Sequence, residues 1–354
     1  MKNYHRLSGE TYSSEELLFP SKVTKGEGEL DKIDAGPYRA PFLFAGHYVM
    51  KTYGARLIKN NPDMKHMVFG GQVWPGEFYR IKKAVIDSKV DALYAMGGGK
   101  VMDLAKLVKK DLPGLKLINI PTSAATCAAM TPVSVMYTKD GEYAGTIDSA
   151  VPDEVIVDYD IMSALPLPFF AAGAADALAK YYETFAARRA LKKELNVFDE
   201  MSFTISSGCK DALKKIIYLK WHKADAAVKK ELADINIIQA GLASCAGRYS
   251  ITGLIAHAAA HAATAVKPAR QYLHGEHAAA GLIMQETMLK GKKHLVELNS
   301  FFEIMELPLG LAGIGIKKPD LKLFFDKYTA IDNTEKISVY AGKKLVYNTL
   351  EAYL

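Results

Sequence analysis

Between about residues 40 and 160, short apolar runs alternate with amphipathic stretches. PFLFAG (41–46), HMVFGG (66–71), DALYAM (91–96) and LKLINIP (115–121) read as strands, and EVIVDYDIM (154–162) as the last of the set. The stretches from Tyr48 to Lys59, Glu77 to Ser88 and Val101 to Lys110 read as amphipathic helices between them. Regular alternation of strand and helix implies parallel strands joined by helical crossovers, so this half predicts an α/β domain with a doubly wound sheet. Pro166 and Pro168 mark a hinge. Beyond it, AAGAADALAKYYETFAARRALKK and ADAAVKKELADINIIQAGLASCAG are long helical patterns with few strand-like runs. The chain is therefore expected to form an α/β domain over 1–164 and an all-helical domain over 165–354.

Composition narrows the function classes. The 354 residues are 49% hydrophobic and 24% charged, as in ordinary globular proteins. The net charge of +6 comes mostly from dispersed lysine pairs such as Lys82-Lys83 and Lys214-Lys215. With no basic block or aromatic-basic motif, nucleic acid is not an expected partner. Cys127, Cys209 and Cys245 are widely spaced and form no C-x-x-C pair, which points to a reducing compartment. No apolar run has the length of a signal peptide or a membrane span, so a cytoplasmic location without membrane contact is expected.

Three places carry candidate chemistry. MGGGKVMD (96–103) sets three glycines after a buried strand and before a helix, where positive φ and bare backbone allow close approach to a diphosphate. A plain tight turn is the alternative. PTSAATCAAMTPVSVMYTKDGEY (121–143) offers hydroxyls at Thr122, Ser123, Thr126 and Thr131 beside small residues. That suits a loop and hairpin against a bound cofactor, or an ordinary polar hairpin. Finally, His257 and His261 are one helical turn apart, and His274 opens a His-Gly-Glu-His loop downstream. They read as metal ligands or as hydrogen-bonded core residues. Asp176, on an alanine-rich helix face, adds a carboxylate that is costly to bury unless paired or bound to a cation. One carboxylate and two imidazoles make a familiar zinc set with an open position.

GGGKVMDLAK, PTSAATCAAMTPVSVMY, GAADALAKYYE and the stretch from His257 to Gly275 follow one another as in the metal-dependent, group III or iron-containing-type alcohol dehydrogenases, and the chain resembles the glycerol dehydrogenase-like members. The resemblance covers roughly residues 40–285. It implies a dehydroquinate synthase-like architecture, with a dinucleotide-binding domain, a helical domain and a site in the cleft between them. It makes Asp176, His257 and His274 the metal ligands and puts His261 near the nicotinamide, either supporting the ligands or relaying a proton. Gly97, Gly98, Gly99, Lys100 and Val101 would cradle the diphosphate of NAD or NADP. Gly46, Asp103, Thr122, Ser123, Ala125, Thr131, Val133 and Tyr137 would complete the cofactor site, with Cys127 beside the substrate. His277 has no matching role and is expected at the surface or at a helix start.

Three departures qualify the resemblance. The iron-preferring branch has a histidine four residues after the aspartate, where this chain has Lys180, a group that cannot ligate when protonated; one divalent ion, zinc rather than iron, is expected. At the position of the acid that accepts the adenosine ribose hydroxyls stands Gly46, so a 2′-phosphate is not repelled. Cys127 replaces an aspartate that contacts the polyol. The expected activity is reversible hydride transfer between nicotinamide and a small alcohol or polyol such as glycerol, by a homo-oligomer. NADPH-dependent reduction of 2-oxo acids, as in the hydroxycarboxylate dehydrogenase-like branch, is the alternative; Arg248, Lys267 and Arg270 are its candidate carboxylate anchors. A sensor without chemistry would need a damaged ligand set, and a dehydroquinate-synthase-like lyase would need phosphate-binding basic residues near the metal.

Overall fold

The computed structural model describes residues 16–190, 195–290 and 295–331. The chain divides into two compact units, Met1–Leu165 and Pro166–Leu354. In the first, strands β1 (Lys22–Gly26), β2 (Pro41–Gly46), β3 (Lys65–Phe69), β4 (Ala92–Gly97), β5 (Lys116–Pro121) and β8 (Glu154–Asp158) form one sheet in the order β1-β8-β5-β4-β2-β3. All neighbours in it run parallel. Strands β6 (Val133–Tyr137) and β7 (Tyr143–Asp148) make a separate antiparallel hairpin.

Central β4 is buried at every residue, because a parallel strand covered on both faces has no solvent side to make polar. Between the strands lie helices α1 (His47–Val49) and α2 (Ala55–Asn60), joined by a π-helical turn over Met50–Gly54, then α3 (Pro75–Asp87) and α4 (Gly99–Asp111). β3 lies at the sheet edge beside β2, and β4 returns on the other side of β2. Such a reversal leaves a crevice at the carboxyl ends of the strands, where open α/β sheets bind ligands. Gly46 and Gly97 close the two strands that flank it.

Two local expectations change. β1 has no counterpart in the sequence reading: KVTKG occupies the sheet edge with no fully buried residue, so it lacks an apolar run. The run 154–162 is not one strand. Asp158 stops it by accepting hydrogen bonds from the N–H groups of Asp160 (2.8 Å) and Ile161 (3.3 Å), which starts helix α5 (Tyr159–Ala164).

The second unit is helical throughout its described residues. Its elements are α6 (Leu167–Ala190), α7 (Val197–Leu219), α8 (Ala226–Ala233), α9 (Ala240–Ile251), α10 (Ile255–Ala263), α11 (His274–Lys290), α12 (Val296–Ile304), α13 (Gly310–Gly313) and α14 (Leu321–Thr329). Pro168 sits in the first turn of α6, where its missing N–H leaves no bond unmade. Helix α11 packs on both α6 and α10. A Cβ at Gly275 would stand 1.8 Å from the Ala172 carbonyl oxygen, and one at Gly281 2.3 Å from that of Ala256. Only glycine permits these backbone approaches, which set the start of α11 against the second turn of α6 and its middle against the start of α10. Among the described residues, no helix is long and apolar enough to cross a membrane.

Candidate metal centre

Helix α6 presents Asp176, Lys180 and Glu183 at i, i+4 and i+7, a spacing that returns to one face. All three are buried, at 2%, 4% and 0% exposure. Helix α10 supplies His257 and His261, and His274 is the first residue of α11 rather than part of a loop. Asp176, His257 and His274 each offer one ligand atom, and these atoms all lie within 4.8 Å of one another. Nε2 of His257 is 3.2 Å from Oδ1 of Asp176, and Nε2 of His274 is 3.7 Å from that same oxygen.

The surrounding charges explain how these groups stay buried. Lys180 Nζ donates to Oδ2 of Asp176 (2.6 Å) and to its main-chain carbonyl (3.2 Å). Glu183 faces Nδ1 of His257 through Oε2 at 2.7 Å. It also accepts from the main-chain N–H groups of His257 (3.0 Å) and Gly253 (2.8 Å). Burial alone would raise both carboxylates. The charges of Lys180, His257 and His274 outweigh it at Asp176, and His257 with two main-chain donors outweighs it at Glu183, so both stay below the ordinary range. Burial opposes the charged form of His257, but Glu183 and the bond to Asp176 raise it to about 9. Burial and the neighbouring imidazoles lower His274 to about 4, and the same causes hold His261 well below its usual value.

The donor set fits a divalent cation. With Asp176 and Glu183 ionised and Lys180 protonated, the extra proton on His257 balances the buried cluster, and a divalent ion that displaced this proton would meet one net negative charge. When Nδ1 of His257 donates to Glu183, its Nε2 lone pair faces Oδ1 of Asp176. Two acceptors at that separation repel unless a proton or a metal ion lies between them. One carboxylate oxygen with two imidazole nitrogens is a set that zinc and its neighbours accept.

His261 is not one of the three converging donors, but its ring lies beside them, its centroid 5.7 Å from that of His274, the same separation as between His257 and His274. His277 lies in the first turn of α11, the helix-start alternative, and is buried rather than at the surface: it is 4% exposed and Nε2 donates to the Ala269 carbonyl at 2.8 Å. Of the candidate anchors, Arg270 directs Nε at the Thr264 carbonyl (2.7 Å) and Nη2 at that of Ala265 (3.3 Å), which closes the end of α10. Lys267 is exposed, and the Arg248 side chain lies outside the described residues. Helix α9 ends at Ile251, so Arg248 and His257 do not share one continuous helix.

In the first unit, Gly97, Gly98 and Gly99 connect β4 to α4. None of the three adopts positive φ. Close packing requires glycine instead: a Cβ on Gly97 would lie 2.7 Å from Val101 Cγ2, and one on Gly99 2.9 Å from Thr126 Cγ2. Lys100 follows, its ammonium 5.2 Å from the Tyr137 ring centroid. Gly46 ends β2 in extended conformation, with open space where a Cβ would point. Thr122 and Ala125 are buried, and Ser123 Oγ accepts the N–H of Ala125 (3.2 Å). Cys127 is buried at 4% exposure in the same loop.

Two residues outside the sequence-based set organise these places. Fully buried Lys106 pairs with Asp103 (3.0 Å) and donates to the carbonyls of Thr131 (3.0 Å) and Val133, fastening the hairpin strand to α4. Asp103 and Thr131 thereby have internal partners. Glu183 holds His257. The spacing, Lys106 at i+3 from Asp103 and Glu183 at i+7 from Asp176, puts each on the face of its helix that carries the aspartate, but spacing alone names no partner.

Residues 20–159 match the family described as iron-containing alcohol dehydrogenase. The chain is 26% identical over 313 residues to a glycerol dehydrogenase of Thermotoga maritima, covering 84% of each protein. It is 26% identical over 269 residues to hydroxycarboxylate dehydrogenase A of Escherichia coli, covering 72% of this chain and 71% of that one. The structure of a probable glycerol dehydrogenase from Sinorhizobium meliloti 1021 superposes with a TM-score of 0.84 at 23% identity, over 96% of this chain and 97% of that one.

Proposed function

We infer that this chain, related to the iron-containing, metal-dependent alcohol dehydrogenases and of the glycerol dehydrogenase type, is an NAD(P)-dependent oxidoreductase. It transfers hydride reversibly between nicotinamide and a small alcohol or polyol. The observation that carries this reading is the convergence of Asp176, His257 and His274 on one point among the described residues. A divalent ion held there supplies Lewis acidity toward the substrate oxygen, as the nicotinamide ring supplies the hydride carrier.

The residues of the chain do the rest. Lys180 occupies one oxygen of Asp176 and leaves the other for the ion, so three protein ligands and an open position result, a set suited to zinc. His261, kept neutral by burial, accepts the alcohol proton on a ring nitrogen and returns it in the reverse direction. The Gly97–Gly99 turn admits the diphosphate to main-chain N–H groups at the start of α4. Gly46 offers no carboxylate to the adenosine ribose, which opens the site to NADP as well as NAD.

The likeness to hydroxycarboxylate dehydrogenase A and the presence of Cys127 favour a second reading, reduction of 2-oxo acids with NADPH. The engagement of Arg270 with two carbonyls weighs against it as the carboxylate anchor. Rates with dihydroxyacetone, glycerol, 2-oxoglutarate and 2-oxobutanoate, each with and without chelator, test both. Chelator-sensitive turnover of the first pair supports the glycerol reading, and turnover of the oxo acids alone replaces it. Full activity in metal-free protein removes both.

A further inference from the structure

We propose that Glu183 is a positioning residue of the metal centre, which turns the ring of His257 so that Nε2, and not Nδ1, is the ligand atom. The inference rests on the metal reading above. Three donors converge on this one carboxylate: Nδ1 of His257 at 2.7 Å, the His257 main-chain N–H at 3.0 Å and the Gly253 N–H at 2.8 Å. Glu183 is fully buried, and the charged group it faces at hydrogen-bond distance is the His257 ring itself. It therefore grips both the ring and the backbone of one residue.

That double grip has a specific consequence. An imidazole can present either nitrogen to a metal, and the hydrogen bond made by the other nitrogen decides which. With Nδ1–H committed to Glu183, the Nε2 lone pair is the one left, and it faces Oδ1 of Asp176 at 3.2 Å. The main-chain bond fixes the backbone of His257 at the first turn of α10 relative to the same carboxylate, so the ring bond to Glu183 acts from a held Cα. Asp176 and Glu183 are two turns apart on α6, so the helix that supplies one ligand also orients another. Lys180 lies between them in sequence and holds the second oxygen of Asp176.

The test uses full-length protein and Glu183→Gln, an amide that keeps the size and one acceptor oxygen but cannot serve all three donors. Zinc affinity is read by competition with a chromophoric chelator, and coordination by the visible absorption of the cobalt(II)-loaded protein. Zinc affinity about 10–100-fold below that of the unaltered protein, with shifted cobalt bands in a variant of native circular dichroism, is expected. Unchanged affinity and bands overturn the inference alone. An unaltered protein that binds no zinc overturns the metal reading, and this one with it. Should the variant not fold, long-range 15N–1H spectra of the unaltered zinc-loaded protein decide: a proton on Nδ1 of His257 is expected, and one on Nε2 overturns the proposal.

Discussion

At the level of single residues, the cofactor question turns on Gly46. Its backbone is extended and nothing lies within 4 Å of a built Cβ, so a larger side chain enters without strain. Gly46→Asp places an anion where a 2′-phosphate would sit and gives the ribose hydroxyls an acceptor. The ratio of kcat/KM for NADPH over NADH is expected to fall at least about tenfold, equivalent to about 1.4 kcal/mol. An unchanged ratio places the adenosine ribose elsewhere. The three ligand candidates were legible from residue type, because a buried carboxylate and paired imidazoles on apolar helices need a physical reason. Glu183 was hidden for the opposite reason: a glutamate late in a helix reads as solvated, and its burial becomes visible only when the start of α10 is seen to need its oxygens.

Among secondary-structure elements, the crossing of α6, α10 and α11 sets the geometry of the centre. Gly275 touches the Ala172 backbone, so Gly275→Ala must push α11 off α6 and take the neighbouring His274 with it. The cost expected is about 3 kcal/mol of stability in denaturant unfolding, together with weakened zinc binding. A variant of native stability and native zinc affinity would show that the helices can separate harmlessly. Most elements were legible from periodicity because the central strands are apolar and the helices amphipathic. Edge strand β1 and helix α5 were not. The first is polar at the rim of the sheet, and the second begins at a cap, Asp158, inside an apolar run that reads as a strand. The triple glycine adopts no positive φ, contrary to expectation, and the close neighbours that call for glycine at Gly97 and Gly99 are the side chains of Val101 and Thr126.

For the molecule as a whole, the candidate ligands all fall after Pro166 and the glycine turn before Leu165, in separately compact units. Metal and dinucleotide are therefore expected to be lost independently. Chelator-treated protein should keep NADH binding, measured by nicotinamide fluorescence, while turnover disappears. Its melting transition should fall, since an ion present at a thousandfold its Kd contributes about 4 kcal/mol. Loss of both binding and turnover together would join the two functions.

The His274 side chain is 29% exposed, against 3% for Asp176, so water reaches the centre from the α11 side. Exchange with dissolved ions then begins at that imidazole. Specific activity between purified batches would then follow metal occupancy more closely than purity.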